Sequence, residues 1–232
     1  MILGGRIDRL ETCEAGDVTL VKVVDYKSGR VIFEPAAVYY GLELQLPLYL
    51  EAAVEEIRKK GGNPAPAAMM YFNIADPLVD YAEGMTEEDL RTEILKKMKG
   101  SGVVSADPEV LIRLDRSLHP GYSSQVIPAG FKKDGELTQA SMVLQTEEFA
   151  ALEKHADRIM EKAARSILNG YVRVNPVRYK TEDACRYCPY RPVCAFDSRI
   201  PGYRVRLLGS LSKDEVMQKI VAMTVDESET EE

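Results

Sequence analysis

Residues 18–26 do most to restrict what this chain can fold into, because five of the nine are β-branched: Val18, Thr19, Val21, Val23 and Val24. Such a run is read as a strand. Residues 5–11, where Ile7 and Leu10 alternate with charged neighbours, read as an earlier strand. Ala15-Gly16-Asp17 between them supplies turn chemistry, so an antiparallel hairpin is expected, and Ser28-Gly29-Arg30 closes its second strand. That strand ends in charge rather than in apolar residues. Residues i and i+2 of a strand share a face, so Asp25 and Lys27 should project together, and pairing lets Asp8 on the first strand approach them. Two converging carboxylates repel unless a divalent cation lies between them, and Mg²⁺, a hard ion that prefers oxygen, is the natural occupant. A lysine there can orient or deprotonate a water, or steady negative charge on phosphorus. Taken alone, Asp-x-Lys reads more readily as charged groups at exposed strand ends.

The remaining pattern alternates helix and strand signals. Apolar residues recur at helical spacing over residues 36–60, with Pro47 expected to kink the helix or mark a late start and Lys59-Lys60-Gly61-Gly62 to stop it. Residues 67–74 read as a buried strand. Thr86-Glu87-Glu88-Asp89 resembles a capping box opening a helix to about Lys99. Residues 100–135, punctuated by Pro and Gly, read as an insertion of loops and short strands. Thr146 is expected to cap an amphipathic helix that ends at Asn169-Gly170. A cysteine-bearing segment follows over residues 181–208, with a strand near 203–208, and residues 226–232 read as an acidic, disordered tail. No apolar run is long enough to cross a bilayer, the start lacks a secretory leader, and three clustered cysteines do not resemble a disulfide framework, so a cytoplasmic protein is expected. A net charge of −7 argues only weakly against nucleic acid, since binding depends on local patches. No phosphate-loop motif is present, so ATP hydrolysis by that route is excluded.

Three motifs give the carboxylates their context: Gly5-Arg6-Ile7-Asp8-Arg9, Val24-Asp25-Tyr26-Lys27-Ser28-Gly29 and Gln45-Leu46-Pro47-Leu48-Tyr49. In order and spacing they resemble the motifs of the PD-(D/E)xK nuclease superfamily, most closely its RecB-type branch. The resemblance implies an α/β fold, with a central mixed sheet flanked by helices. It implies metal binding by Asp8 and Asp25, a catalytic role for Lys27, and Gln45 and Tyr49 on the next helix holding the site or the DNA. The spacing of four puts Gln45 and Tyr49 on one helix face.

Cys185-x-x-Cys188-x-x-x-x-x-Cys194 resembles the C-terminal half of the iron–sulfur staple in nucleases of the AddB class. A [4Fe–4S] cluster takes four thiolates. The fourth family cysteine precedes the nuclease motifs, whereas Cys13, the other cysteine here, follows the first of them. Zinc held by three Cys and one His is the alternative, although His119 and His155 read as ordinary surface residues. The family fold also begins with a helix ahead of the Asp8 strand, so this chain is expected to be part of a longer polypeptide, with an incomplete cluster. The expected function is a Mg²⁺-dependent DNA exonuclease acting in double-strand break repair and recombination, alongside an AddA-like helicase–nuclease partner subunit and away from any membrane. By the same resemblance, this nuclease cuts the 5′-terminated strand. The alternative is a non-catalytic module that clamps DNA or docks the partner through a cysteine staple. An intact Asp8, Asp25, Lys27 set argues against it.

Overall fold

The computed structural model describes residues 4–228. The hairpin forms from β1 (Arg9–Ala15) and β2 (Val18–Lys27), paired antiparallel with Ala15 opposite Val18. Its two-residue turn places Gly16 at φ +68°, a conformation that glycine adopts without a Cβ penalty. The first strand starts later than residues 5–11 suggest, and Asp8 lies just before it at a bend. The cause is local: the Tyr26 N–H donates to the Asp8 carboxylate at 3.0 Å, so a side chain takes the place of further backbone pairing.

The helical stretch after β2 divides into α1 (Pro35–Tyr39) and α2 (Gln45–Lys59). Gly41 at φ +76° breaks it, and Pro47 sits in the first turn of α2, where a missing N–H costs nothing. Strand β3 (Pro64–Asn73) then pairs parallel to β2. Thr86 and Asp89 form the reciprocal cap of α3 (Glu87–Met98), which has no fully buried residue. Residues 101–105, placed by sequence in an insertion, are instead β4 (Ser101–Ser105), antiparallel to β3 and central to the fold. A Cβ on Gly102 would stand 2.0 Å from the Met69 carbonyl oxygen, so this crossing requires glycine. Then come α4 (Pro108–Leu114), β5 (Val143–Leu144), parallel to β4, and α5 (Thr146–Leu168). Gln145 rather than Thr146 caps α5, its N–H bonded to Glu148 at 2.7 Å. The sheet order is β1-β2-β3-β4-β5, mixed and flanked by helices as the motifs imply.

Side chains alternate across this sheet. Val21, Val23, Met69, Tyr71 and Val103 face α1, α2 and α5, with Leu46, Leu50, Phe149 and Leu152 filling that core. Ala68, Met70 and Val104 face Leu111 of α4 and Ile127 and Phe131 of the following loop. Beyond α5, β6 (Val177–Tyr179), β7 (Glu182–Asp183) and β8 (Arg206–Leu208) make a small second sheet, with α6 (Arg191–Cys194) between them. The acidic end of the chain is helical as far as it is described: α7 (Lys213–Ser228) buries Val216, Met217 and Ile220 in the main core. The rest of the expected tail, residues 229–232, lies outside the described residues. The sequence carries the signal for α7 in Ser212 and Glu215, whose side chains cap each other's backbone.

Two expectations follow. Ile220→Ala should lower unfolding free energy by about 2–5 kcal/mol in denaturant melts, because a wholly buried side chain leaves a cavity. The second concerns Glu51 on α2 and Glu153 on α5. Burial and, for each, Asp157 push Glu51 up from 4.5 to about 8 and Glu153 to about 7, with Arg58 opposing the rise in Glu153. The folded chain therefore holds extra protons between these values and the unfolded one, so stability falls as pH rises through that window. The melting temperature should drop from about pH 5 to about pH 9. Glu51→Gln with Glu153→Gln should flatten the drop, and an unchanged slope would refute the assignment.

Candidate active site

The crossover from β2 through α1 and α2 to parallel β3 begins α2 near the C-terminal end of β2. Open α/β sheets place their ligands at such ends. Asp25, at that end, is 3 % exposed. Its Oδ1 accepts from Gln45 Nε2 at 2.7 Å, and its Oδ2 lies 2.6 Å from Lys27 Nζ. Lys27 Nζ also donates to Gln45 Oε1 at 2.7 Å, and Gln45 Nε2 reaches Tyr49 Oη at 3.2 Å. These partners fix the Gln45 amide: the oxygen must face the ammonium and the nitrogen the carboxylate. Tyr49 therefore accepts from the amide and keeps its own proton to donate. Four of the five residues picked from sequence thus form one continuous network.

Asp8 stands outside that network, bonded to the Tyr26 backbone N–H. The register ends with Arg9 opposite Val24, so Asp8, one residue before β1, lies beside the end of β2 that carries Asp25. Asp8 is exposed, whereas Asp25 is enclosed. Among the described residues Asp25 Oδ2 receives no hydrogen bond of good geometry and rests on the Lys27 charge. A buried oxygen in that state, with a second carboxylate held at the neighbouring residue Tyr26, suits a hard cation. No three His, Cys, Asp or Glu side chains among the described residues converge as a metal site. Mg²⁺ does not require three, since it retains several waters and uses one or two carboxylates. The donor set fits Mg²⁺.

Residues 1–195 match the family model of the PD-(D/E)XK nuclease superfamily. The chain belongs to this superfamily. It is also similar to curated bacterial proteins whose names make each of them one subunit of an ATP-dependent helicase/deoxyribonuclease. That of Thermoanaerobacter sp. (strain X514) is 36 % identical over 91 % of this chain and 18 % of its own length. Those of Clostridium acetobutylicum and Bacillus pumilus are 37 % and 38 % identical over 95 % of this chain and 19 % of theirs. The chain therefore spans less than a fifth of the length of these relatives.

Within this nuclease fold the structure adds neighbours the motifs do not contain. Lys27 Nζ lies 4.9 Å from the centroid of the Tyr71 ring, and Tyr71 is paired with Asp25 across β2 and β3. Burial, then the charges of Glu43 and Asp25, push the Tyr71 hydroxyl up, so it stays protonated. Glu43, two residues before Gln45, is pushed up by burial and by Glu34. Asn73 clamps the loop after Lys27, accepting from Val31 N at 2.8 Å and donating to Val31 O at 3.1 Å. Pairing register could have indicated Tyr71; nothing in the sequence marks Glu43 or Asn73.

The cysteines lie elsewhere. Cys185, Cys188 and Cys194 line one hollow together with Arg178, Arg191 and Arg199. Burial, Asp183 and the other two thiols push the Cys185 thiol up. Cys13 lies on β1 beside Leu20 and Val110, away from that hollow. Three thiols without a fourth do not fit a [4Fe–4S] cluster. Neither histidine lines the hollow. His155 is buried rather than at the surface, stacked on Tyr39 with Nε2 3.0 Å from the Tyr39 carbonyl. His119 is exposed and stacks on Tyr122. Iron and sulfide analysis of the anaerobically purified chain should find no stoichiometric four-iron cluster. Finding one that Cys13→Ser abolishes would overturn this placement.

Proposed function

We propose that this chain is the nuclease module of a longer helicase–deoxyribonuclease polypeptide, hydrolysing DNA phosphodiester bonds with Mg²⁺. The observation that carries this reading is the network joining Asp25, Lys27, Gln45 and Tyr49, with Asp8 across the hairpin. Bound Mg²⁺, held by Asp8 and Asp25, would neutralise charge on the phosphate and make a water more acidic. Gln45 holds Lys27 and Asp25 at fixed separation, so the ammonium is already oriented when substrate arrives. A phosphate oxygen is a charge-assisted acceptor that competes with Asp25 for Lys27, and the ammonium steadies the negative charge that builds as water attacks phosphorus. Tyr49, its hydroxyl oxygen occupied by Gln45, turns its proton outward toward substrate.

Charge distribution supports DNA as the substrate. Residues 171–208 contain eight basic and three acidic residues in a chain whose net charge is −7. Tyr187 and Tyr190, 80 % and 72 % exposed, stand among them. The relatives' names join a helicase to a deoxyribonuclease, and the proposal extends this to exonuclease work in double-strand break repair, with an AddA-like partner subunit, in the cytoplasm. An iron–sulfur cluster closed by a thiolate from elsewhere in the longer polypeptide belongs to the same proposal.

Purified chain should degrade linear DNA in Mg²⁺ or Mn²⁺. Asp25→Ala and Lys27→Ala should each lower the rate by about 10²–10³-fold, the scale seen when one electrostatic stabiliser is removed. Gln45→Ala should lower it less, since both charges remain. Wild-type DNA binding without cleavage would favour the non-catalytic clamp, and undiminished cleavage by Asp25→Ala would refute the assignment of the site.

A further inference from the structure

Tyr26, between Asp25 and Lys27 in sequence, points to the opposite sheet face, away from the site described above. There Arg9, Glu11, Lys22, Tyr26, Phe72 and Val126 line a groove of about 270 Å³. Tyr26 is held rigidly for a residue 36 % exposed: Arg9 Nη1 donates to its hydroxyl at 3.1 Å, and its ring stands at 87° to Phe72 with centroids 6.0 Å apart. Glu11 pairs with both Arg9 and Lys22, so two cations share one carboxylate and the groove keeps a positive excess. An immobilised aromatic wall beside surplus positive charge is the chemistry that holds single-stranded nucleic acid: bases stack on the ring while cations attract the backbone. The groove is smaller than the roughly 300–1,000 Å³ of sites for drug-sized ligands, as suits a single planar ring.

Its place in the fold adds the second argument. β1 is the outermost strand and its pairing stops at Arg9, so the end of β2 is open at the side. The Tyr26 backbone N–H holds the Asp8 carboxylate at that open side while the Tyr26 ring lines the groove. We infer that this groove binds one unpaired base of the DNA strand, next to the nucleotide whose phosphate lies at Asp8, Asp25 and Lys27. The inference rests on the nuclease reading for its substrate class. The groove then acts as a register stop: the strand cannot advance by a nucleotide until the stacked base leaves Tyr26.

The test uses the full chain in EDTA with short single-stranded oligodeoxynucleotides carrying 2-aminopurine at successive positions. Fluorescence quenching should be concentrated at one position in the bound strand. Tyr26→Ala should remove it and weaken binding about tenfold, within the range for losing one base stack. Tyr26→Phe, which keeps the ring, should retain most of the quenching, and Phe72→Leu, which removes only the supporting wall, should reduce it. Should Tyr26→Ala fail to fold, the Tyr26→Phe and Phe72→Leu pair decides alone. Uniform quenching along the strand, or Tyr26→Ala quenching like wild type, would overturn the inference. Cleavage in Mg²⁺ is scored separately. Localised quenching without cleavage upholds the groove and refutes the nuclease reading; cleavage without localised quenching does the reverse.

Discussion

A carboxylate 3 % exposed is costly unless every lone pair faces something that compensates for lost water, and Asp25 sets that requirement for this fold. Lys27 on the same strand supplies charge, and Gln45 on the next helix supplies a donor while fixing the lysine. Both oxygens are thus partly answered from within the chain. Lys27, at 26 % side-chain exposure, still reaches solvent, so the pair is half open rather than sealed. That is the state a hydrolytic site needs. A fully closed ion pair could not surrender its lysine to a phosphate, and an unpaired Asp25 would destabilise the sheet it ends.

The topology makes this arrangement inexpensive. Because β2 and β3 run parallel, their connection must cross a sheet face, and α1 and α2 are that crossover. Leu46 and Leu50, wholly buried against Val21 and Val23, hold α2 on the strand bearing Asp25. Gln45 and Tyr49 each immediately precede one of these leucines, so the packing that stabilises the helix also positions the polar pair. A change in the crossover core would therefore act on the site through geometry, without touching any of its residues.

What was legible in the sequence follows from how local each signal is. The β2 run, the Gly16 turn, the Thr86 cap and the spacing of Gln45 and Tyr49 depend on neighbouring residues, and all appear in the structure. Misplacements arose where a distant contact decides. β4 is five residues of Ser, Gly and Val with little pattern, and pairing to β3 on one side and β5 on the other makes it a strand. The break at Gly41 is packed against Ile159 of α5, over a hundred residues away. The acidity of residues 226–228 suggested disorder, yet they continue α7, because composition was weighed above the Ser212–Glu215 cap. At the site, Asp25, Lys27, Gln45 and Tyr49 touch one another, but Tyr71 arrives from another strand through pairing register and Glu43 through burial, which nothing in the sequence marks.

Charge shows the same contrast between summed and local quantities. A net −7 describes a chain that a polyanion should avoid, and at physiological salt it has little bearing, because charges further apart than about 8 Å are largely screened. What a phosphate meets is the nearest few side chains. Lys27 beside Asp25, Arg9 and Lys22 over one shared carboxylate, and the arginines around the cysteine hollow are three such places. The acidic excess resides partly on helix surfaces, as in the first turn of α3 and across α2 and α5. On the proposed nuclease reading those faces would repel the backbone of DNA and leave fewer ways for a strand to lie. A strand that is cut stepwise would have to be released and rebound, and for that cycle register would matter more than affinity.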